Sequence, residues 1–504
     1  MTRLAPWLAA LVVCAPGGVR AQEEAAVDVH VDVDVDEARD AEIFGEASAE
    51  AEADAEARED EIFGDGDGDG APEDAANDLG LAPGLSDADI GVKLDEAEDP
   101  LAIGGRLYLR LDWTALEEGY PEDFSWSTPA LMDLYLDARP NERLRAFVKG
   151  RLSHDFTARG DEVGLDGSPV APTRVMLDQL WVKWDLSRTL FLTVGQQPLR
   201  WGSGRFWNPT DFLNKRFKDP LAVFDERLGL PLVKLHLPLE SLGWNLYAIA
   251  DFDGARIPED VTGAFRAEAL FGTTELALSA AVGKDEPLRL GADVTTGLWV
   301  LDLRLETALL HGVKTPYFEG EFDLAGGRIP TLVDRSDDWI VRVTAGAELG
   351  INLNDEDALY LGVEYFYNGM GYEGAGLYPW LLAYPYLQAA QGLSSPALFT
   401  PFYLGRHYAS FYAALPAPGR WDDVSFTLSA LSNLSDRSVV ARLDFSVQLV
   451  TYLRLNAYFS QHLGQEGELR FGMEVPPLPV EGLEQGFRVV PPLLDLGVGL
   501  TLTL

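Results

Sequence analysis

The amino-acid sequence predicts an all-β fold: a transmembrane, antiparallel, up-and-down β-barrel of about eighteen strands, with sixteen as the alternative. Three observations predict it. Apolar and polar residues alternate over segments of about ten residues, charged residues recur on the polar face, and Trp residues stand at segment ends. The 504-residue chain has a mean hydropathy of −0.03 and, beyond its first residues, lacks the long apolar runs that membrane helices need.

Residues 1–21 have the pattern of a secretory signal peptide. Arg3 provides a positive start, residues 4–13 form a short apolar core, and small or tolerated residues precede a cut before Gln22. Cys14 is the only cysteine of the chain, and cleavage would remove it, which excludes disulfides and thiol chemistry from the exported protein. A lipoprotein signal using Cys14 is the less favoured alternative, because Val13 stands where a small residue is expected.

Residues 22–99 differ sharply from the rest of the chain in composition. They contain 29 acidic and 3 basic residues, a net charge of −26 out of −42 for the whole chain. With so few bulky apolar residues, this segment cannot offset its chain entropy by burial, so we expect a disordered acidic periplasmic segment. The remaining barrel carries −18, and nucleic-acid binding is disfavoured by the sign of the charge.

Two short motifs stand out within the acidic segment. The string EIFG occurs at residues 42–45 and again at 61–64, and its bulky residues are Ile43, Phe44, Ile62 and Phe63. Isolated apolar anchors in an acidic chain suggest a linear motif for a periplasmic protein partner, and chance repetition in a low-complexity stretch is the alternative. The string DGDGDG at residues 65–70 resembles half of a calcium loop but lacks the closing Glu, so we expect no specific metal site.

Residues 100–504 carry the alternation that predicts the barrel. In one segment Leu301, Leu303 and Leu305 alternate with Asp302, Arg304 and Glu306. A soluble sandwich also alternates, but its strands are shorter and it has no reason to line one face with charges. Trp residues at segment ends are typical of the belts found at membrane interfaces, and they are Trp113, Trp184, Trp244, Trp299, Trp339 and Trp421.

The lengths of the connections test the barrel independently. Even-numbered connections are short, whereas long loops at 154–174, 196–230, 311–338 and 368–404 occupy odd-numbered places. Outer-membrane barrels alternate short periplasmic turns with long external loops in this way. An even strand number returns the chain to its starting side, so both chain ends are expected to be periplasmic.

Residues 195–214 read GQQPLRWGSGRFWNPTDFLN and follow a predicted strand. The string resembles a feature of porin-like Gram-negative outer-membrane β-barrel families, in which a Gly-Gln strand end leads into Trp-Gly and then Pro-x-Asp. The matching positions are Gly195, Gln196, Trp201, Gly202, Pro209, Asp211 and Asn214. The resemblance implies a barrel and says little about the substrate.

The loop that begins at this motif is a candidate pore constriction. Its aromatic residues could wedge against the barrel wall, and opposed charges at a narrow point would sort polar solutes. The candidate residues are Arg200, Arg205, Asp211, Lys215, Arg216, Lys218 and Asp219. An outward loop with solvated charges is the alternative, and the sequence does not decide between the two.

The function expected from this pattern is a porin-like channel for passive passage of small solutes. The alternative is a binding, assembly or export barrel whose acidic segment recruits a periplasmic partner through the EIFG motifs. The chain has six His residues and no motif of a known catalytic or phosphate-binding site, so no enzyme activity, metal or cofactor is expected. The expected partners are outer-membrane lipid and the barrel-insertion machinery, and no binding of nucleic acid is expected. The sequence leaves the oligomeric state open.

Overall fold

The computed structural model describes residues 100–117, 124–159, 171–221, 227–323, 326–354, 357–389, 393, 395–421, 423–475 and 487–504. The predicted signal peptide, the acidic segment and the EIFG motifs lie outside these residues. None of the helices in the described residues is long and apolar enough to span a membrane.

Eighteen antiparallel strands form one closed barrel. They are β1 (Leu101–Leu116), β2 (Pro129–Asn141), β3 (Leu144–Asp155), β4 (Thr173–Asp185), β5 (Phe191–Gln197), β6 (Leu230–Leu239), β7 (Trp244–Asp251), β8 (Thr262–Phe271), β9 (Thr274–Val282), β10 (Leu288–Leu298), β11 (Leu301–His311), β12 (Trp339–Asn352), β13 (Ala358–Asn368), β14 (His407–Pro416), β15 (Val424–Asn433), β16 (Ser438–Val450), β17 (Leu453–Gly464) and β18 (Pro492–Thr503). Each pairs with the next, and β18 closes the ring by pairing with β1, for example Leu109 with Leu500. The predicted count of eighteen is confirmed.

The outer face of the barrel is apolar, as the alternation predicts. Large apolar side chains that remain exposed stand at every second position of the strands, and their polar neighbours point into the lumen. Among them are Leu109, Leu111, Leu134, Leu136, Leu180, Val182, Leu278, Leu305, Val363, Leu428, Leu443 and Leu500. Trp184, Trp244, Trp299, Trp339 and Trp421 are also exposed and stand at strand ends or turns.

The two ends of the barrel are built differently. At the end that holds residues 100 and 504, turns such as 142–143, 272–273 and 299–300 join the strands. At the other end lie the long connections, among which only 283–287 and 434–437 are short. The expected parity of the connections is therefore confirmed.

The connections at this second end pack on one another. Residues 312–338 contribute a short hairpin, Tyr317–Glu319 paired with Thr331–Val333, and residues 369–406 contribute the helix α1 (Tyr378–Ala389). Phe318, Trp380 and Leu381 are buried between them, in a cluster that also includes Phe471 from the connection before β18. A layer of loops thus stands at this mouth of the barrel.

Candidate functional site: a loop folded into the barrel lumen

The described part of the connection between β5 and β6, residues 198–221 and 227–229, folds into the barrel. Its buried side chains contact the wall residues that alternate with the outward-facing apolar ones, and Trp207 and Thr210 are fully buried. The two orientations that the sequence left open are thereby decided in favour of the inward one. We call residues 198–229 the lumen loop.

Glu306, in the middle of β11, holds the first part of the lumen loop. Its Oε2 accepts the backbone N–H groups of Ser203 and Gly204 at 3.0 and 3.1 Å. Its Oε1 accepts both the N–H of Thr210 at 2.6 Å and its hydroxyl at 2.7 Å. Hydrogen bonds to a carboxylate are stronger than neutral ones, so this single wall residue fixes two separate points of the loop.

Gly202 lies against the same carboxylate. Its φ of +105° is in a region that favours glycine, and a Cβ at this position would come within 2.6 Å of the Glu306 oxygens. The Trp-Gly pair of the sequence motif therefore has a physical reason. Only a residue without a side chain lets the backbone approach Glu306 closely enough for Ser203 and Gly204 to donate.

Glu364, on β13, holds the next part of the loop in the same manner. Its Oε2 accepts the N–H of Arg205 at 2.7 Å, and its Oε1 accepts the N–H groups of Phe206 and Trp207 at 3.0 and 2.9 Å. Three consecutive backbone donors converge on one buried carboxylate, an arrangement that satisfies groups which would otherwise be buried without partners.

Aromatic packing anchors the tip of the lumen loop. Trp207 stacks on Phe366 of β13 with ring centroids 5.5 Å apart, and its indole N–H donates to the carbonyl of Phe402 at 3.1 Å. Phe206 packs near Tyr412 of β14, with centroids 6.0 Å apart. These contacts tie the loop to a wall region distant from the β5 and β6 strands that carry it.

A second apolar cluster lies nearer the start of the loop. Trp201, Phe212 and Leu213 pack on a lumenal wall that is apolar at this level. The wall residues of this cluster are Leu230, Leu232, Ile249, Ala264, Ala281, Ala308, Leu310 and Ile340, and Val313 of the connection after β11 also belongs to it. Along β11 the lumenal face changes from charged at Asp302 to apolar at Ala308, and it does so where the loop covers it.

Arg205 is the candidate residue with the most constrained position. Its side chain is only 7% exposed, its guanidinium lies 3.9 Å from the ring centre of Tyr412, and it is 3.7 Å from Glu348 of β12. A cation placed over a ring and beside a carboxylate is held in place by both. Arg205 therefore binds the loop to the wall as well as contributing charge.

The two candidate lysines are placed differently from each other. Lys218 donates to the carbonyl of Arg205 at 3.1 Å and so stabilises the loop itself. Lys215 is exposed and forms an ion pair of 2.6 Å with Asp253, on the connection between β7 and β8. The basic residues that are adjacent in the sequence are thus not one cluster in space.

The remaining candidates separate into buried and exposed groups. Asp211 forms an ion pair with Arg227 at 2.8 Å and accepts from Asn214, which keeps both ends of the loop together. Asp219 accepts the N–H of Leu221 at 2.9 Å. Arg200 and Arg216 are exposed, as is Lys215, whereas Arg205 is buried.

Glu306 and Glu364 are the site residues that the sequence did not indicate. Both occupy ordinary lumenal positions in the alternation, where charges recur along many strands. The only trace in the sequence is the apolar residue two positions further along the same face: Ala308 after Glu306 and Phe366 after Glu364. No group of three or more His, Cys, Asp or Glu residues in the described part is placed to hold a metal ion.

Comparison with known proteins yields only distant structural similarity. No family model matches the sequence. No curated protein matches it either. Among solved structures, the chain is similar to a BenF-like porin from Pseudomonas fluorescens Pf-5, with 12% identity over 80% of this chain and 99% of that one and a TM-score of 0.45. It is also similar to OccAB1 of Acinetobacter baumannii, with 11% identity over 80% and 96% and a TM-score of 0.47.

Proposed function

We propose that this chain is a porin-like channel of the bacterial outer membrane, through which small solutes pass by passive diffusion. The observation that carries the proposal is the lumen loop, pinned inside a closed and charged barrel by Glu306 and Glu364. A loop held across a lumen narrows it and leaves a defined path, and charged residues along that path select among solutes.

The closed barrel and its apolar outer face support a location in the outer membrane. A closed barrel leaves no strand edge unpaired, and an outer face of Leu, Val and Phe side chains suits contact with hydrocarbon. The interior is unsuited to lipid because charged residues such as Arg151, Asp133 and Lys149 line it.

Single-channel recording of the refolded full chain in planar bilayers tests the proposal. We expect steady ion currents through the bilayer. In vesicles that contain the protein, we expect the rate of uptake of neutral sugars to fall as the size of the sugar increases. Bilayers that stay silent although insertion is demonstrated by protease protection would reject the channel.

A further inference from the structure

A cavity of about 550 Å³ opens within the layer of loops at the mouth that carries the long connections. It lies between the hairpin that begins at Tyr317 and residues 372–377, the segment that leads into α1, and Arg406 completes its wall. Protein sites for small molecules usually have volumes of about 300–1,000 Å³, so the cavity is large enough for a small organic ligand. None of its lining residues takes part in the hydrogen bonds of Glu306 or Glu364 to the lumen loop.

Aromatic side chains form one wall of the cavity. The rings of Tyr317 and Tyr372 stack in parallel, with centroids 5.0 Å apart and an angle of 5° between the planes. Phe318 and Phe322 also line the cavity, and both pack on Trp380, with centroids 5.7 and 5.4 Å away. Because these rings hold one another in place, the apolar wall is organised in the absence of a ligand, which lowers the cost of binding one.

Glycines keep another part of the wall open. A Cβ added at Gly374 or Gly376 would meet no atom within 4 Å, and one at Gly320 would meet only Pro330, at 3.9 Å. Gly374 has a φ of 179°, an extended conformation that any residue adopts. The backbone therefore does not require glycine at this position, and a larger side chain there would take up open space.

The charged part of the lining contains more acid than base. Its six members are Glu319, Glu321, Asp323, Arg328, Glu373 and Arg406. Nη1 of Arg328 lies 2.5 Å from Glu321, and Nη2 lies 2.7 Å from Asp323. Nη1 of Arg406 lies 2.7 Å from Glu373. Four carboxylates against two guanidinium groups leave the lining with an excess of two negative charges.

Glu319 is the carboxylate that these ion pairs leave over. Its side chain is exposed and lines the cavity, and it makes no hydrogen bond or ion pair with any residue in the described part of the chain. A cationic group that entered the cavity beside Glu319 could donate to this carboxylate without displacing another cation. Hydrogen bonds between two charged groups are among the strong ones.

The carboxylates line the cavity without converging on one point. Within the described residues, no group of three or more His, Cys, Asp or Glu is placed to hold a metal ion. The aromatic wall offers no oxygen-rich shell to a hard metal cation, but it suits the carbon skeleton of an organic molecule, and aromatic rings also attract organic cations. The negative excess and the aromatic wall together favour a small organic cation that carries an apolar group.

We propose that this cavity binds a small organic cation, with its ammonium group at Glu319 and its apolar group against Phe322, whose ring is only partly buried. The proposal goes beyond the channel function and does not depend on it, because the cavity lies outside the strands and apart from the contacts of the lumen loop. Bound there, the cation stands in the layer of loops at the mouth of the barrel.

Three probes that share a phenyl ring and differ in charge test the proposal. At neutral pH 2-phenylethylamine is a cation, 2-phenylethanol is neutral and phenylacetate is an anion. Their binding to the full chain in detergent is measured by isothermal titration calorimetry. We expect the amine to bind roughly tenfold more tightly than the alcohol, a ratio equivalent to about 1.4 kcal/mol, and phenylacetate to bind most weakly.

Two variants locate the bound amine. Glu319→Gln keeps the shape of the side chain and removes its charge, so the affinity for the amine should fall to that for the alcohol. Gly374→Trp fills open space in the wall and should weaken the binding of both probes. The matched control is Glu259→Gln, which removes an exposed carboxylate on another connection at the same mouth, paired with Lys284 at 2.9 Å, and should change neither affinity. Heat-dependent mobility in gel electrophoresis checks that each variant is folded.

Equal affinities for the three probes, tightest binding of phenylacetate, or no binding of the amine would each overturn the proposal. Unchanged binding of the amine in Glu319→Gln would place the ligand elsewhere and overturn it as well. Calorimetry does not measure current, so the two proposals fail separately. A silent bilayer would reject the channel and leave the binding result standing, whereas a conducting barrel that does not bind the amine would reject only this site.

Discussion

The indole of Trp207 lies almost parallel to the ring of Phe366, with ring centroids 5.5 Å apart and an angle of 14° between the planes. The two residues are 159 positions apart in the sequence, and their contact places the tip of the lumen loop on β13. The stacking and the hydrogen bonds to Glu364 on the same strand together hold the lumen loop against β13.

Replacing Trp207 by Ala should detach the tip of the loop. Loss of a fully buried Trp typically costs about 3–5 kcal/mol, and here the cost falls on the docking of the loop, because the barrel strands keep their pairing. Limited proteolysis of the inserted protein should cut within residues 198–229 in this variant alone. Trp299→Ala is the control, since Trp299 is 99% exposed in a turn and its loss should leave the loop protected. A protected loop in the Trp207 variant would show that the stacking is dispensable.

Removing both wall carboxylates, Glu306→Ala with Glu364→Ala, should release the loop without destroying the barrel. Each change leaves three backbone N–H groups without their acceptor, a loss of about 3 kcal/mol or more for each carboxylate before water enters. Single-channel conductance should rise and become noisier. Glu275→Ala removes a lumenal carboxylate that makes no described hydrogen bond to the loop, and it should leave conductance near the wild-type value. Unchanged conductance in the double variant would mean that the loop does not limit the pore.

The exposed cations of the lumen loop should govern ion preference. Changing Arg200 and Arg216 together to Gln should shift the reversal potential in a salt gradient toward cation selectivity, because fixed charge at a narrow point acts with little screening. Arg205→Gln and Lys218→Gln should instead affect loop stability, as both hold the loop in place. Lys314→Gln, which removes an exposed cation paired with Asp285 outside the lumen, is the control. If the Arg200 and Arg216 pair leaves the potential unchanged, the wall charges determine selectivity.

The layer of loops at the far mouth should depend on pH through Glu468. This carboxylate lies outside the strands, accepts the N–H groups of Tyr403 and Leu404, and joins them to Tyr408 and Asn433. Burial is the main cause that raises its pKa to about 7, against the lowering effect of these hydrogen bonds.

Because the pKa of Glu468 in the folded protein lies above the ordinary value of 4.5, its contribution to loop stability is complete below about pH 4.5. This contribution falls as the pH rises and is lost above about pH 7. The total loss of stability is at most about 3 kcal/mol. Proteolysis of the external loops should therefore be faster at pH 8 than at pH 5. Glu468→Gln should abolish this dependence, and Glu466→Gln, an exposed neighbour in the same connection, should retain it. A flat profile in the wild-type protein would contradict the assignment.

The topology can be tested with epitope tags. A tag at Gly326, in the connection between β11 and β12, should be labelled on intact cells, whereas one at Gly68 should be labelled only after the outer membrane is permeabilised. The reason is that eighteen strands return the chain to its starting side, opposite the mouth that carries Gly326. Labelling of Gly68 on intact cells would reverse the orientation.

Strand positions could be predicted from the sequence because the signal is local. The alternating segment from Leu301 to Glu306 lies within β11 (Leu301–His311), and Trp339, predicted to stand at a segment end, begins β12 (Trp339–Asn352). Alternation with a period of two assigns each residue to one face of a strand irrespective of what lies far away in the chain. The motif around Trp201 and Gly202 likewise marked the start of the lumen loop.

The path of the lumen loop could not be predicted, because its hydrogen-bond partners are remote in the sequence. Glu306 binds Ser203 across 103 positions, and Glu364 binds Arg205 across 159. Apart from the apolar residue two positions further along the same face, nothing in the local pattern separates these two carboxylates from other lumenal acids. The split of the basic residues, with Arg205 and Lys218 holding the loop and Arg200 and Arg216 exposed, also becomes visible only once the loop is folded.

The sequence by itself therefore determined the barrel, a strand number of about eighteen, the side on which each residue stands and the parity of the connections. These features depend on strand pairing and on the alternation of side chains between the lipid and the aqueous lumen. Both leave a pattern in residues that are adjacent in the sequence. Only the tertiary structure decided that the lumen loop turns inward and that Glu306 and Glu364 hold it there. Closing the barrel brings residues from distant strands around one space, and the unsatisfied N–H groups of the loop then find their acceptors on the wall.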